Sequence, residues 1–308
     1  MRPSLRQIEY FIAVAEHGAF GTAAEALGVT QPSLSKQLAT MEDELGAKLF
    51  ERTSRRVSLT PLGRKLQSRG RTILQEAREF RAIARGSIGL FGDRLAIGVL
   101  PSIGAYFMPI ASRRLHKTYP DLRLIIQEGA TGELLDRLKT GHVDAVIGTR
   151  TSEPGIESAQ LFAETLWVCA AADDPLSASG GPVTLADLSN RPLLSLSRQF
   201  SLAEIVDRLA KDAGTFVQRD YQGGSLDAIR QMAVMGAGVA VLPSLYALAE
   251  AIRDPEFIVR RIDHPNAVHE IFLHWRQSSA HADDFAQLAR ELIDAKRQIR
   301  DARDERFQ

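Results

Sequence analysis

The chain has 308 residues, length for two or three compact units, with the 44% hydrophobic and 25% charged content of an ordinary soluble globular protein. Its 38 basic and 38 acidic residues cancel unevenly: residues 1–90 carry 14 Lys+Arg against 9 Asp+Glu, leaving 24 against 29 for the remainder. A basic front on an acidic body points to a polyanionic partner for the front and excludes little else.

From Leu5 to about Thr60 the apolar spacing is helical. Leu5, Ile8, Phe11, Ile12 and Ala15 fall on one face. Ala23, Ala24 and Leu27 then pack a short helix inward, and Gly28 suits the left-handed geometry of a tight turn. Thr30 or Gln31 can cap the next helix, whose first turn tolerates Pro32. Leu34, Leu38, Met41 and Leu45 define its buried face; the opposite face opens with Gln31, Ser33, Ser35, Lys36 and Gln37. These side chains suit a DNA groove: Gln bonds bidentately to adenine, Lys reaches guanine or phosphate, and Ser serves either role. A hairpin of helices used only for packing would more often place long Glu and Lys there. The pattern therefore predicts a helix-turn-helix with its second helix in the major groove. Phe50–Leu59 reads as a two-stranded wing in which Arg52, Arg55 and Arg56 face the flanking DNA backbone or minor groove.

Pro61 to about Leu90 reads as a long polar helix, capped by Thr60 and ended by Gly86 and Gly89. Leu62, Leu66, Ile73, Ala77, Phe80 and Ile83 form a narrow seam of roughly heptad spacing. Such a seam is covered by a second copy of the helix or by the chain's own C-terminal domain. Beyond Gly92 short strands alternate with helices. The strands expected are 94–100, 122–128, 145–149, 166–171, 193–196, 239–242 and 270–275, with helices over 131–140, 201–213, 225–235 and from Asp283 onward. Alternation of this kind predicts parallel βαβ units in one large sheet or two α/β lobes. The charge-free runs Leu95–Ser112 and Met232–Ala249 are broken by Pro and Gly, and MRPSLRQIEY lacks the apolar core of a secretory signal. The expectation is a cytoplasmic protein with no membrane partner.

Hydroxyl residues stand where strands give way to helices: Ser102, Thr131, Ser201 and Ser225. Helix starts and the carboxyl ends of strands are natural places for an anion or small polar ligand. Local capping is the competing reading, strongest for Ser201, which begins the S-x-x-E capping box Ser201–Glu204. No phosphate-binding glycine loop, HExxH or GxSxG marks an enzyme, and no cofactor or metal is called for; His269 and His274 bracket a strand with side chains on opposite sides.

The stretch LRQIEYFIAVAEHGAFGTAAEALGVTQPSLSKQLATMEDELGAKLFERTSRRVSLTPLGRKL resembles the N-terminal domain of the LysR-type transcriptional regulators, without a gap over some sixty residues. The resemblance extends to the whole chain. It implies a winged helix-turn-helix (residues 1–60), a linker and dimerisation helix (61–91), and a two-lobed effector domain like the periplasmic binding proteins (92–308). It also implies a homo-oligomer, dimer or tetramer, bound to an interrupted inverted repeat in double-stranded DNA and acting on RNA polymerase. Matching positions assign Ala23, Ala24, Gln31, Pro32, Ser33 and Ser35 to the helix-turn-helix, Arg52 to the wing, and Ser102, Thr131, Phe200 and Ser201 to the effector pocket. YPDLRLIIQEGATGELLDRLKTGHVDAVIGT and SLDAIRQMAVMGAGVAVLPSL look nearest to the peroxide-sensing, OxyR-like branch. That branch places a reactive cysteine where this chain has Ser201 and a histidine where it has Phe200. A hydroxyl cannot be oxidised to a disulfide, and Cys169 is the only cysteine, so an internal-disulfide peroxide sensor is excluded. The expected function is a DNA-binding regulator controlled by an anionic or polar small molecule between two lobes. Its rival is a solute-binding or enzymatic α/β protein with an accessory helix-turn-helix.

Overall fold

The structure is a computed structural model and describes residues 3–52, 57–84, 91, 94–178, 180–253, 257–279 and 281–304. Its contacts divide the chain into two units, Met1–Ile88 with Lys139–His142, and Gly89–Leu138 with Val143–Gln308.

In the first unit, α1 (Leu5–His17) starts at Ser4, whose hydroxyl accepts the Gln7 N–H while Gln7 reaches back to the Ser4 backbone. Ile8, Phe11 and Ile12 are buried as their spacing predicts, whereas Leu5 is exposed and Ala15 only half-buried. α2 (Phe20–Ala26) leads through Gly28, at φ +64°, into α3 (Gln31–Leu45). Leu34, Leu38 and Met41 are core residues; Leu45, expected with them, is 39% exposed. Glu42 is buried in its place. Its carboxylate accepts the Leu49 N–H at 2.8 Å, the Phe50 N–H at 3.2 Å and Lys48 Nζ at 3.1 Å, which holds the chain leaving the helix against that face.

β1 (Phe50–Arg52) and β2 (Val57–Leu59) pair antiparallel with Phe50 opposite Leu59, giving the expected wing. The Phe50 ring meets Phe11 and Phe20 edge-on, which fixes the wing to the helices. α4 (Pro61–Ala84) begins where Thr60 Oγ1 accepts the Gly63 N–H at 2.9 Å. Its apolar row is divided. Leu66 packs on the helix-turn-helix core, while Leu62, Ile73 and Phe80 are exposed, Phe80 by 74%. Gly86, Gly89 and the side chain of Ile83 lie outside the described residues.

The second unit has two lobes. In the first, β3 (Arg94–Val99) lies parallel between β4 (Arg123–Glu128) and β5 (Ala145–Gly148), accompanied by α5 (Pro101–Tyr106), α6 (Met108–Thr118), α7 (Thr131–Lys139) and the C-terminal α11 (Ala282–Asp304). In the second, β7 (Leu193–Leu194) lies parallel to β8 (Val217–Gln218) and β9 (Val239–Pro243). Its helices are α8 (Ser201–Asp212), α9 (Leu226–Val234) and α10 (Ser244–Arg253), and β10 (Phe257–Arg261) adds a strand. Separate cores fill them, one around Leu95, Ile97, Phe107 and Phe285, the other around Val168, Leu193, Val206 and Val241.

The strands joining the lobes correct the all-parallel expectation. β6 (Ile156–Ala171) pairs antiparallel with β11 (Val268–Arg276) along its first part, then with β9 and β10. β11 also pairs antiparallel with β5. The chain leaves the first lobe on β6 and returns on β11, so these two strands must run against each other. The first ten residues of β6, IESAQLFAET, lack the strict apolar–polar alternation by which sequence patterning would mark them as a strand.

Candidate functional site

The start of α3 presents the side chains expected of a DNA reader. Thr30, Gln31, Pro32, Ser33, Lys36 and Gln37 are exposed and Ser35 is half-buried. Thr30 occupies the N-cap with extended backbone, but its side chain makes no capping bond, so its hydroxyl is not committed to the helix. Leu34 and Leu38 anchor the opposite face, and Gly28 sets the turn that presents it. Ala23 and Ala24, expected with them, are buried at 0% and 3% exposure. Their small side chains pack α2 into the core it shares with α1 and α3. Arg52 pairs across the wing with Val57 through its backbone. Arg55 and Arg56 lie outside the described residues.

In the second unit a cavity lies between the lobes. It is lined by Ser102 from α5, Phe200 and Ser201 at the start of α8, and His269 from β11, within walls that include Leu100, Leu196, Leu202 and Leu226. Ser102, Phe200 and His269 are buried. Gly224 lies close against Phe200: a Cβ there would stand 2.5 Å from the ring's Cζ, and the ring would have to shift. Thr131 is not in this lining; its hydroxyl lies 3.2 Å from that of Thr149 and accepts the Thr149 N–H. α5 has only six residues, so Ser102 enters through its side chain and not through a helix terminus.

The two serines that open helices behave differently. Ser225 caps α9, its hydroxyl accepting the Ala228 N–H at 3.2 Å. Ser201 does not cap α8: Phe200 is the N-cap, and Ser201 Oγ is buried without a hydrogen-bond partner. The S-x-x-E capping box is therefore not formed, because the helix starts one residue earlier than the motif implies. An orphaned buried hydroxyl costs about 1–3 kcal/mol, which marks it as a position that a ligand can satisfy. Ser225→Ala should lower stability by about 1 kcal/mol and leave effector affinity unchanged. Denaturant melts with a parallel binding titration check both halves of that expectation.

One further pairing escaped sequence reasoning. Glu164 and His269 sit directly opposite each other on β6 and β11, 105 positions apart along the chain, with Nδ1 and Oε1 at 3.1 Å. Both are almost fully buried, and no local motif signals the pair. His269 and His274 lie inside β11 and do not bracket it. His274 is structural: Nδ1 meets the Ser158 hydroxyl at 2.7 Å and Nε2 meets the Thr149 carbonyl at 2.9 Å. Burial holds its pKa below the ordinary value, only partly opposed by the bond to Thr149. Among the described residues no group of His, Cys, Asp or Glu is placed to hold a metal ion.

Known families account for both units. Residues 5–64 match the bacterial regulatory helix-turn-helix of the lysR family, and residues 89–296 match the LysR substrate binding domain. The chain belongs to the LysR family of transcriptional regulators. It is 35% identical to the DNA-binding transcriptional dual regulator OxyR of Escherichia coli over 253 residues, 82% of each chain. It is 31% identical to a probable hydrogen peroxide-inducible genes activator of Streptomyces viridosporus over 300 residues, 97% of this chain and 96% of the other. A full-length OxyR variant from Pseudomonas aeruginosa superposes with a TM-score of 0.77 at 30% identity, covering 95% of both chains. Full-length CbnR complexed with target DNA gives 0.67 at 25% identity, covering 95% of this chain and all of that one. This LysR-type regulator thus falls in the OxyR branch, and members of its family are transcription regulators, not enzymes. Its single cysteine, Cys169, is buried in β6 and has no second cysteine with which to form an internal disulfide. No helix among the described residues is long and apolar enough to cross a membrane.

Proposed function

We propose that this LysR-type regulator reads an interrupted inverted repeat in double-stranded DNA, pairs with a second copy along α4, and answers a small anionic or polar effector held between its two lobes. RNA polymerase is the downstream partner. The observation that carries the DNA reading is the short polar face of Gln31, Ser33, Lys36 and Gln37, exposed opposite the fully buried Leu34 and Leu38. The cavity supports the effector reading, because its polar groups come from both lobes and from a strand that joins them. A ligand touching all three favours one lobe angle over another, and that preference is the coupling an allosteric regulator needs. With one cysteine this chain cannot form an internal disulfide, so a signal of that kind is not part of the reading.

Arg52→Ala should weaken DNA binding and reduce the slope of log affinity against log salt by about 0.9, the loss of one phosphate contact. Titrations at several salt concentrations measure it, and an unchanged slope refutes the assignment. Ser33→Ala should alter base preference at one position of each half-site by about 1–3 kcal/mol, while binding to random DNA stays the same. Binding to a set of single-base operator variants reads that change.

A further inference from the structure

At the polar end of the cavity stands His269, paired behind the lining with Glu164 on the strands that join the lobes. Glu164 Oε1 holds His269 Nδ1, while Glu164 Oε2 accepts the Leu245 N–H at 3.0 Å and lies 3.5 Å from the Ser244 hydroxyl, both at the start of α10. A carboxylate on Nδ1 selects the tautomer with hydrogen on that nitrogen, as in other oriented histidines. In the neutral ring Nε2 then carries a lone pair. His269 Nε2 is buried without a partner in a side chain only 3% exposed, and His269 lines the cavity. Ser201 Oγ is the second orphaned polar atom of the lining. The contrast with His274, bonded at both nitrogens, shows that an open imidazole nitrogen is not a general property of β11.

From this geometry we infer that the effector is a neutral molecule with a hydroxyl or N–H donor on a small apolar body, the donor bonding His269 Nε2 with Ser201 Oγ beside it. The inference rests on the reading of this cavity as the effector site and narrows its ligand class. A carboxylate meets the wrong partner here. It would set its oxygens against the lone pair of Nε2 and bring a charge into an apolar pocket. A hydroxyl donates to Nε2 and brings no charge. The space is about 20 Å³, room for one hydroxyl-sized head. The apolar body would lie along Leu100, Phe200 and Leu226.

The test uses the full-length protein at pH 8 with three matched probes: phenol, its methyl ether anisole, and benzoate, followed by thermal shift and calorimetry. Phenol should bind while anisole and benzoate do not. His269→Phe should weaken phenol at least tenfold, and His269→Gln, which keeps an acceptor, should lose less. A cooperative thermal transition and an unchanged far-UV circular dichroism spectrum report that each variant is folded. Ser201→Phe, which fills the cavity, should abolish phenol binding. Benzoate binding that depends on His269 and is lost in Ser201→Phe overturns the donor assignment while leaving the site in place. Phenol binding that survives His269→Phe, or no binding by any probe, overturns it as well. Binding that survives Ser201→Phe shows instead that the effector site lies elsewhere.

Discussion

Phe80→Glu should convert the regulator into monomers and remove most of its operator affinity. Phe80 is 74% exposed on α4, with Ile73 exposed two turns before it, and Leu66 turned toward the helix-turn-helix core. An aromatic ring left this open on a helix with a regular apolar row is a surface for a partner. Burying a Phe is worth about 1.5–3 kcal/mol, and a two-fold interface counts each substitution twice. The dimer constant should therefore fall by about 10²–10⁴, before the cost of placing two carboxylates at the seam. Operator affinity follows because a monomer engages one half-site at a time. Sedimentation velocity and operator titration measure the two effects together. The fold should survive, since Phe80 is not part of the core of its unit. A variant that remains dimeric would show that α4 is not the pairing surface.

The second large effect is expected at Glu42, a residue that touches no ligand. Its carboxylate is the acceptor for the Leu49 and Phe50 N–H groups and a partner of Lys48. Glu42→Ala leaves two buried donors unpaired where the wing begins, at about 1–3 kcal/mol each, so the unit should lose about 3 kcal/mol. Glu42→Gln retains an acceptor oxygen and should lose less. The same residue predicts a pH dependence. Burial alone would raise the carboxyl pKa, but the bonds from Leu49, Lys48 and Phe50 outweigh it and hold the value below the ordinary 4.5. A folded pKa lowered in this way means stability fully present above the unfolded value and lost as pH falls through the folded one. The gap between wild type and Glu42→Ala should be widest near neutrality and should narrow below about pH 4.5. Urea unfolding across that range tests it, and a gap that stays constant would remove the charged carboxylate from the account.

What the sequence alone determined was local in origin. The helical period placed Leu34, Leu38 and Met41 inward and Gln31, Ser33, Lys36 and Gln37 outward, and Gly28 marked the turn. Those features depend on neighbours within one or two turns, so spacing reveals them. Leu45 broke the pattern because Glu42 answers to Leu49 and Phe50, beyond the helix end. The hydroxyl residues divide along the same line. Ser201 and Ser225 look alike as helix openers, yet only Ser225 caps, and packing of Phe200 against Gly224 accompanies the shift of the α8 start. Thr131 is engaged by Thr149 across a βα junction, a contact that no spacing rule contains. The Glu164–His269 pair is the clearest case. Each residue is unremarkable in its own segment, and they become a site only because β6 and β11 cross between the lobes in one antiparallel register. Tertiary structure decides such pairs because burial removes the water that would otherwise satisfy each polar group separately, and leaves each one dependent on a partner far away in the chain.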